Sequence, residues 1–183
     1  MIEMENLTVI IRRANEKDIE SLSDLCAKTF FETYLPARPH LEKDFTEYVN
    51  TNFSTKAVER KLLDPKIIYL VAEANGKLLG YCEINLQKSP EGKNDETCIN
   101  LDQIYLLKEV IGKGVGKQLM DEFLNISKQE KSALIWLQVW EKNLSAQNFY
   151  KKSGFEIFGT IEFRFGSAID IDLLMKKRLK SPF

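Results

Sequence analysis

Gly112, Gly114 and Gly116 alternate in the stretch Ile111-Gly112-Lys113-Gly114-Val115-Gly116-Lys117, directly after a strand-like run that ends at Leu106. An amphipathic, helix-like run begins at Val115. Glycine lets the backbone take positive φ and approach a ligand closely. A helix start offers N–H groups without intrahelical acceptors and the positive end of a dipole, which together favour phosphate. The spacing therefore points to an anionic phosphate group on the N–H groups of Gly112, Lys113, Gly114, Val115, Gly116 and Lys117. A nucleoside-triphosphate loop needs GxxxxGK followed by Ser or Thr, whereas Gln118 follows here and Ile111 stands where the first glycine belongs. The dinucleotide pattern GxGxxG fails as well, because Lys117 occupies the third glycine position.

The elements that must carry this turn fit within one domain of residues 1–183. Hydrophobic residues make up 44% and charged residues 29%, as in an ordinary globular domain. Lys and Arg number 26 against 27 Asp and Glu, so the net charge of −1 excludes a basic nucleic-acid footprint. No run of 18 apolar residues exists to span a membrane. Cys26, Cys82 and Cys98 form no CxxC pair, which argues against a zinc or redox motif. They read as reduced, mostly buried thiols of a cytoplasmic protein. The acidic start Met1-Ile2-Glu3-Met4-Glu5 is unlike a secretory signal. The single histidine, His40, sits in a proline-flanked stretch and reads as a surface residue.

A first strand is expected over Thr8–Arg12. Asn15 can cap a helix whose apolar face holds Ile19, Leu22, Leu25, Cys26, Thr29 and Phe30, with Pro36 and Pro39 ending it near Leu35. Two further helical stretches follow, one with Phe45, Tyr48 and Val49, the other after Ser54. Ile67–Ala72 and Leu78–Ile84 flank Asn75-Gly76 and predict a hairpin. Lys88 to Glu96 reads as a loop, Cys98–Leu106 as a strand and residues 115–129 as a helix. Leu134–Trp140 barely alternates, as a strand buried on both faces would. Asn143 caps a helix through Lys152, Gly154 ends it, and strands are expected near 155–164 and 169–177.

Asn143-Leu144-Ser145-Ala146-Gln147-Asn148-Phe149-Tyr150-Lys151-Lys152-Ser153-Gly154-Phe155 has the form Asn-x-x-Ala-x-x-Phe-Tyr-x-x-x-Gly-Phe. With this motif and the glycine turn, the chain resembles the GCN5-related N-acetyltransferase (GNAT) superfamily. The turn matches that family's (Arg/Gln)-x-x-Gly-x-Gly/Ala at Gly114 and Gly116 but has Ile111 in place of Arg or Gln. Thr29–Tyr34, Ile104-Tyr105 and the stretch Ile135–Asn143 look like bacterial Pai-type spermidine/spermine acetyltransferases. The resemblance implies an α/β fold of the α+β type: a central mixed, mostly antiparallel twisted sheet flanked by helices.

It also implies acetyl-CoA as acyl donor and a primary amine as small-molecule acceptor, with no metal, nucleic acid or membrane. The pantetheine arm would pair with the backbone of Ile104, Tyr105 and Leu106. The pyrophosphate would lie on Gly112–Lys117, and Asn143 would touch the arm. Tyr150 would donate a proton to the departing thiolate. Histone-modifying members carry a Glu base where this chain has Asn100. Asp102, two residues on and thus on the same strand face, is the expected proton relay or cation anchor. Glu32 and Tyr34 would line the acceptor pocket, with Glu83 a further acid near it. A polyamine is the expected acceptor. The alternatives are a protein or peptide amine, or a non-catalytic acyl-CoA sensor. An exposed last strand would pair two protomers.

Overall fold

The computed structural model describes residues 8–90, 98–166 and 168–179. Side-chain caps mark two of the entries to its first helical segments. Asn15 accepts from the Lys17 N–H, and Asp18 accepts from the Asn15 N–H. This box closes a short 3-10 turn, Glu16–Asp18, that leads into α1, Ile19–Tyr34. α1 buries Leu22, Leu25, Cys26, Thr29 and Phe30, and ends just before the prolines. α2, Glu42–Asn52, buries Phe45 and Val49. Ser54 caps α3, Thr55–Leu62, by accepting from the Ala57 N–H.

The first strand, β1, is Ile10–Arg13 and begins two residues later than expected. β2, Ile67–Ala74, and β3, Lys77–Asn85, flank Asn75 and Gly76. Both turn residues have positive φ, 51° and 74°, as a two-residue hairpin turn requires. Then come β4, Cys98–Leu106; α4, Val115–Gln129; β5, Leu134–Trp140; and α5, Leu144–Lys152. β6, Glu156–Phe165, and β7, Ala168–Arg178, complete the order. Lys88–Pro90 lie outside any element, and the rest of the loop expected up to Glu96 falls outside the described residues.

Among the described residues the strands form a seven-stranded sheet in the order β1-β2-β3-β4-β5-β7-β6. β1 with β2, β5 with β7 and β6 with β7 pair antiparallel, while β4 and β5 pair parallel across the α4 crossover. This is the mixed, helix-flanked sheet that the sequence implies. One expectation is corrected. The last strand, β7, is interior, and β6 forms the edge because β7 returns between β5 and β6.

The chain divides into two compact units: residues up to Glu83 with Gln103–Glu122, and Ile84–Asp102 with Phe123 onward. The first has an aromatic core around Phe30, whose ring lies 4.9 Å from Tyr48, 5.6 Å from Phe53 and 5.7 Å from Phe45. The second buries Ile99 and Leu101 of β4, Leu134–Leu137 of β5 and Met175 of β7. The near-continuous burial of β5 matches its lack of alternation.

Arg12 ties β1 to the α1 entry. Its guanidinium donates two bonds to Asp18, at 2.7 and 2.8 Å, and a third to Glu73 at 2.7 Å. The bond from Arg12 holds the Asp18 carboxyl below its ordinary range. A depressed folded-state pKa stabilises above the unfolded value of about 3.9 and is lost as pH falls through the folded value. Asp18→Asn should therefore lower stability by about 1–2 kcal/mol at pH 7. That deficit should shrink as acid protonates wild-type Asp18, which urea denaturation at pH 7 and pH 3 would check. An equal deficit at both pH values would contradict it.

Candidate active site

The first unit contains the glycine turn. β4 ends at Leu106, and buried Leu107 donates its N–H to the Leu79 carbonyl at 2.9 Å. Buried Val110 pins a short 3-10 turn, Lys108–Val110. Gly112 and Gly114 then take φ of 80° and 84°, where a side chain carries strain. α4 starts at Val115, and its first helical bond runs from Gln118 to the Gly114 carbonyl. The N–H groups of Val115, Gly116 and Lys117 therefore precede the helical ladder. Among the described residues those of Gly112 and Gly114 find no acceptor either. Lys113 differs from the expected set of six: its N–H is engaged by the Val110 carbonyl at 3.2 Å. Lys113 and Lys117 are exposed, and Lys117 pairs with Asp121 at 2.5 Å. Ile111, where the family has Arg or Gln, is 58% exposed and so does not serve the core.

The C-terminal half of β4 is fixed from one face. Tyr81 donates its hydroxyl to Gln103 at 2.8 Å, and the Tyr34 and Tyr105 hydroxyls lie 2.9 Å apart. Two residues expected at the site, one from α1 and one from β4, are thus brought together. Strand alternation places Ile104 on the face opposite Gln103 and Tyr105. Behind this segment stands Gly80, on which a Cβ would lie 2.9 Å from the Tyr105 carbonyl oxygen. Sequence reasoning passed over Gly80, although a glycine inside a strand marks close backbone approach.

Glu32 and Leu35 border a groove of about 420 Å³ with Phe31, Pro36 and Pro39. Glu32 Oε2 is buried and has no hydrogen-bond partner among the described residues. Glu83 differs: its Oε2 accepts from Tyr69 at 2.6 Å and from Lys61 at 2.9 Å, so its charge is already matched. Burial pushes the Cys26 thiol up to about 12 and the Cys82 thiol up as well, so neither is a thiolate at neutral pH.

The second unit holds the other candidates. The registered pairs of β4 with β5 run from Cys98↔Leu134 to Leu101↔Leu137, and both strands continue beyond them. Asn100 is buried and donates to the Trp136 carbonyl at 3.2 Å, while its Oδ1 has no partner among the described residues. An amide here cannot take a proton. The Asp102 carboxylate is paired with the Lys88 ammonium, and the Lys88 carbonyl accepts from the Trp136 indole at 2.6 Å. Neither partner was singled out from sequence, since they lie 14 and 48 positions away from the groups they bind.

α5 begins at its cap, where Asn143 Oδ1 accepts from the Ala146 N–H at 3.1 Å, worth about 1 kcal/mol. Buried Gln147, also missed, donates to the Glu141 carbonyl at 2.7 Å and ties the helix to the preceding turn. Tyr150 is 7% exposed, with its ring 5.6 Å from Phe149 and 6.1 Å from Phe155. The Phe155 N–H closes the motif on the Tyr150 carbonyl at 3.0 Å.

The acetyltransferase (GNAT) family model matches residues 19–155. An uncharacterized N-acetyltransferase of Mycobacterium tuberculosis is 30% identical over 162 residues, spanning 88% of this chain and 98% of that protein. A spermine/spermidine N(1)-acetyltransferase of Bacillus subtilis is 26% identical over 89 residues, 48% of this chain and 59% of that protein. The PaiA N-acetyltransferase from Thermoplasma acidophilum, solved in complex with coenzyme A, superposes with a TM-score of 0.77. It shares 24% identity, over 94% of this chain and 99% of that one. The chain belongs to the acetyltransferase (GNAT) family and is an acetyl-CoA-dependent N-acetyltransferase.

Gly80→Ala should displace the Tyr105 carbonyl and cost about 1–3 kcal/mol. It should also weaken CoA binding, since the shifted backbone belongs to the segment expected to hold the pantetheine arm. Thermal melting and calorimetric CoA titration of the variant would check both effects. Wild-type values in both would contradict the packing role.

Proposed function

We propose that residues 1–183 act as one N-acetyltransferase domain that passes the acetyl group of acetyl-CoA to a primary amine, a polyamine such as spermidine or spermine. The observation that carries the donor site is the glycine turn: Gly112, Gly114, Val115, Gly116 and Lys117 present N–H groups at the start of α4. Backbone N–H groups at a helix start suit a pyrophosphate, and Lys113 and Lys117 add positive charge. The peptide groups of Ile104, Tyr105 and Leu106 pair with the pantetheine arm, and Asn143 contacts it while capping α5.

The acceptor amine reaches the site mostly protonated, since its unperturbed pKa is about 10.4. Asp102 takes that proton through water or anchors the substrate's second cation. Glu32 and Tyr34 hold the amine chain; the buried, unpartnered carboxylate oxygen of Glu32 supports this role. The free nitrogen attacks the thioester carbonyl carbon, a C–N bond forms, and the C–S bond breaks. Tyr150 hands its phenolic proton to the departing thiolate and regains one from the nitrogen, which sheds its extra proton as it becomes an amide. The raised thiol pKa values of Cys26 and Cys82 favour this direct transfer over an acyl-cysteine route.

The polyamine reading is supported by the name of the Bacillus relative, which matches about half of this chain, and by the acids Glu32 and Asp102. Cys26, Cys82 and Cys98 are buried and form no disulfide among the described residues, which supports a cytoplasmic setting. Pairing of two protomers would use the edge strand β6, where Ile157 and Phe163 are exposed.

Tyr150→Phe keeps the ring and removes only the hydroxyl. CoA affinity should stay as in wild type, while kcat with spermidine falls about 10²–10⁴-fold. Free-thiol release in steady state, with calorimetry for CoA, measures the two separately. A wild-type kcat with chemistry limiting would remove Tyr150 from the mechanism.

A further inference from the structure

Lys88, three residues beyond the end of β3, meets two partners from other parts of the second unit. Its ammonium pairs with the Asp102 carboxylate and lies 6.0 Å from the centroid of the Trp136 ring. Its carbonyl accepts from the indole N–H of the same tryptophan, which fixes the stem of the side chain beside that ring. Trp136 is only 4% exposed and pairs with Asn100 in the β4–β5 register. Carboxylate and ring are therefore built into the sheet, whereas Lys88 comes from the segment after β3. The side chains of Lys88 and Asp102 remain 40% and 28% exposed, so the ammonium is within reach of solvent. A carboxylate beside an aromatic face is the chemistry that recognises an ammonium.

We propose that Asp102 and Trp136 form an ammonium subsite that Lys88 fills as a built-in competitor, so that an acceptor must bring a second cation to open it. The inference rests on the polyamine reading above and names its specificity device. Exchanging one ammonium for another preserves the charge pair. Expelling Lys88 with a neutral group leaves Asp102 without a cation. A monoamine must give up its only charge in order to attack, so it has nothing to exchange. A polyamine keeps a remote ammonium while its reacting nitrogen is free. Because Lys88 covers Asp102 most of the time, the apparent affinity for the remote cation is reduced by the fraction uncovered. Partly exposed ion pairs are weak, so the self-inhibition amounts to about threefold to fivefold.

The test is Lys88→Met, which keeps an apolar stem beside Trp136 and removes the ammonium, and the charge swap Lys88→Asp/Asp102→Lys. Spermidine and n-butylamine serve as paired acceptors, and spermidine binding is also followed calorimetrically with CoA present. In Lys88→Met, KM and Kd for spermidine should fall about threefold to fivefold relative to the values for n-butylamine. The swap rebuilds the ion pair, and a purely structural latch predicts wild-type selectivity for it. The subsite predicts that the preference for spermidine is lost. Unchanged spermidine Kd in Lys88→Met, or a swap variant that still prefers spermidine, overturns the inference. If the wild type acetylates no amine but Lys88→Met binds spermidine more tightly, the subsite stands and the polyamine acetylation falls. If n-butylamine is acetylated and neither variant changes selectivity, the acetyltransferase stands and the subsite falls.

Discussion

The start of α4 is the constraint on which the site depends. A helix leaves its first N–H groups without intrahelical acceptors, and here buried Val115, Leu119 and Met120 fix the helix in the core while the preceding Gly112–Gly114 and Lys117 of the first turn are exposed. Gly112 and Gly114 make this geometry reachable, because both sit at φ values that other residues occupy only with strain. Val110 anchors the turn from the other side and engages the Lys113 N–H, so the donors that remain belong to Gly112 and to Gly114–Lys117. Three upstream residues hold the end of β4 in place. Gly80 admits the Tyr105 carbonyl, Tyr81 holds Gln103, and Tyr34 holds Tyr105.

Among the described residues, several acids already have a cationic partner. Asp18 has Arg12, Glu83 has Lys61, and Asp102 has Lys88. The pairs differ in kind. The first secures the entry to α1. The second lies deep among aromatic rings, with Lys61 6.0 Å from the Tyr69 ring centroid. The third is open enough to exchange. Glu32 stands apart, with a buried oxygen that has no partner among the described residues and an apolar groove beside it. This distribution separates acids that build the fold from the two, Glu32 and Asp102, assigned above to the proposed substrate.

Much of this was legible in the sequence because it is local. Asn143 caps the helix expected of it, Asn15 caps the 3-10 turn that leads into α1, Asn75-Gly76 turns the hairpin, and the glycine turn joins strand to helix. What escaped is set by distant pairing. Nothing near Lys88 announces that it reaches Asp102, or that Trp136 reaches back to its carbonyl. The return of β7 between β5 and β6 depends on which neighbour wins its backbone bonds, and no residue pattern within β7 encodes that. Gly80 did carry a local mark, but its neighbour Tyr105 lies 25 positions on, and only the folded sheet shows the contact.

The central claim is that the N–H groups opening α4 bind the pyrophosphate of the acyl donor. Amide-resolved NMR of ¹⁵N-labelled protein titrated with CoA tests it most directly. Gly112, Gly114, Val115, Gly116 and Lys117 should show the largest downfield proton shifts, as N–H groups that gain an anionic acceptor. Lys113, already bonded to Val110, should move less. Saturating CoA binding that leaves these five resonances in place and shifts a different set of amides would contradict the account.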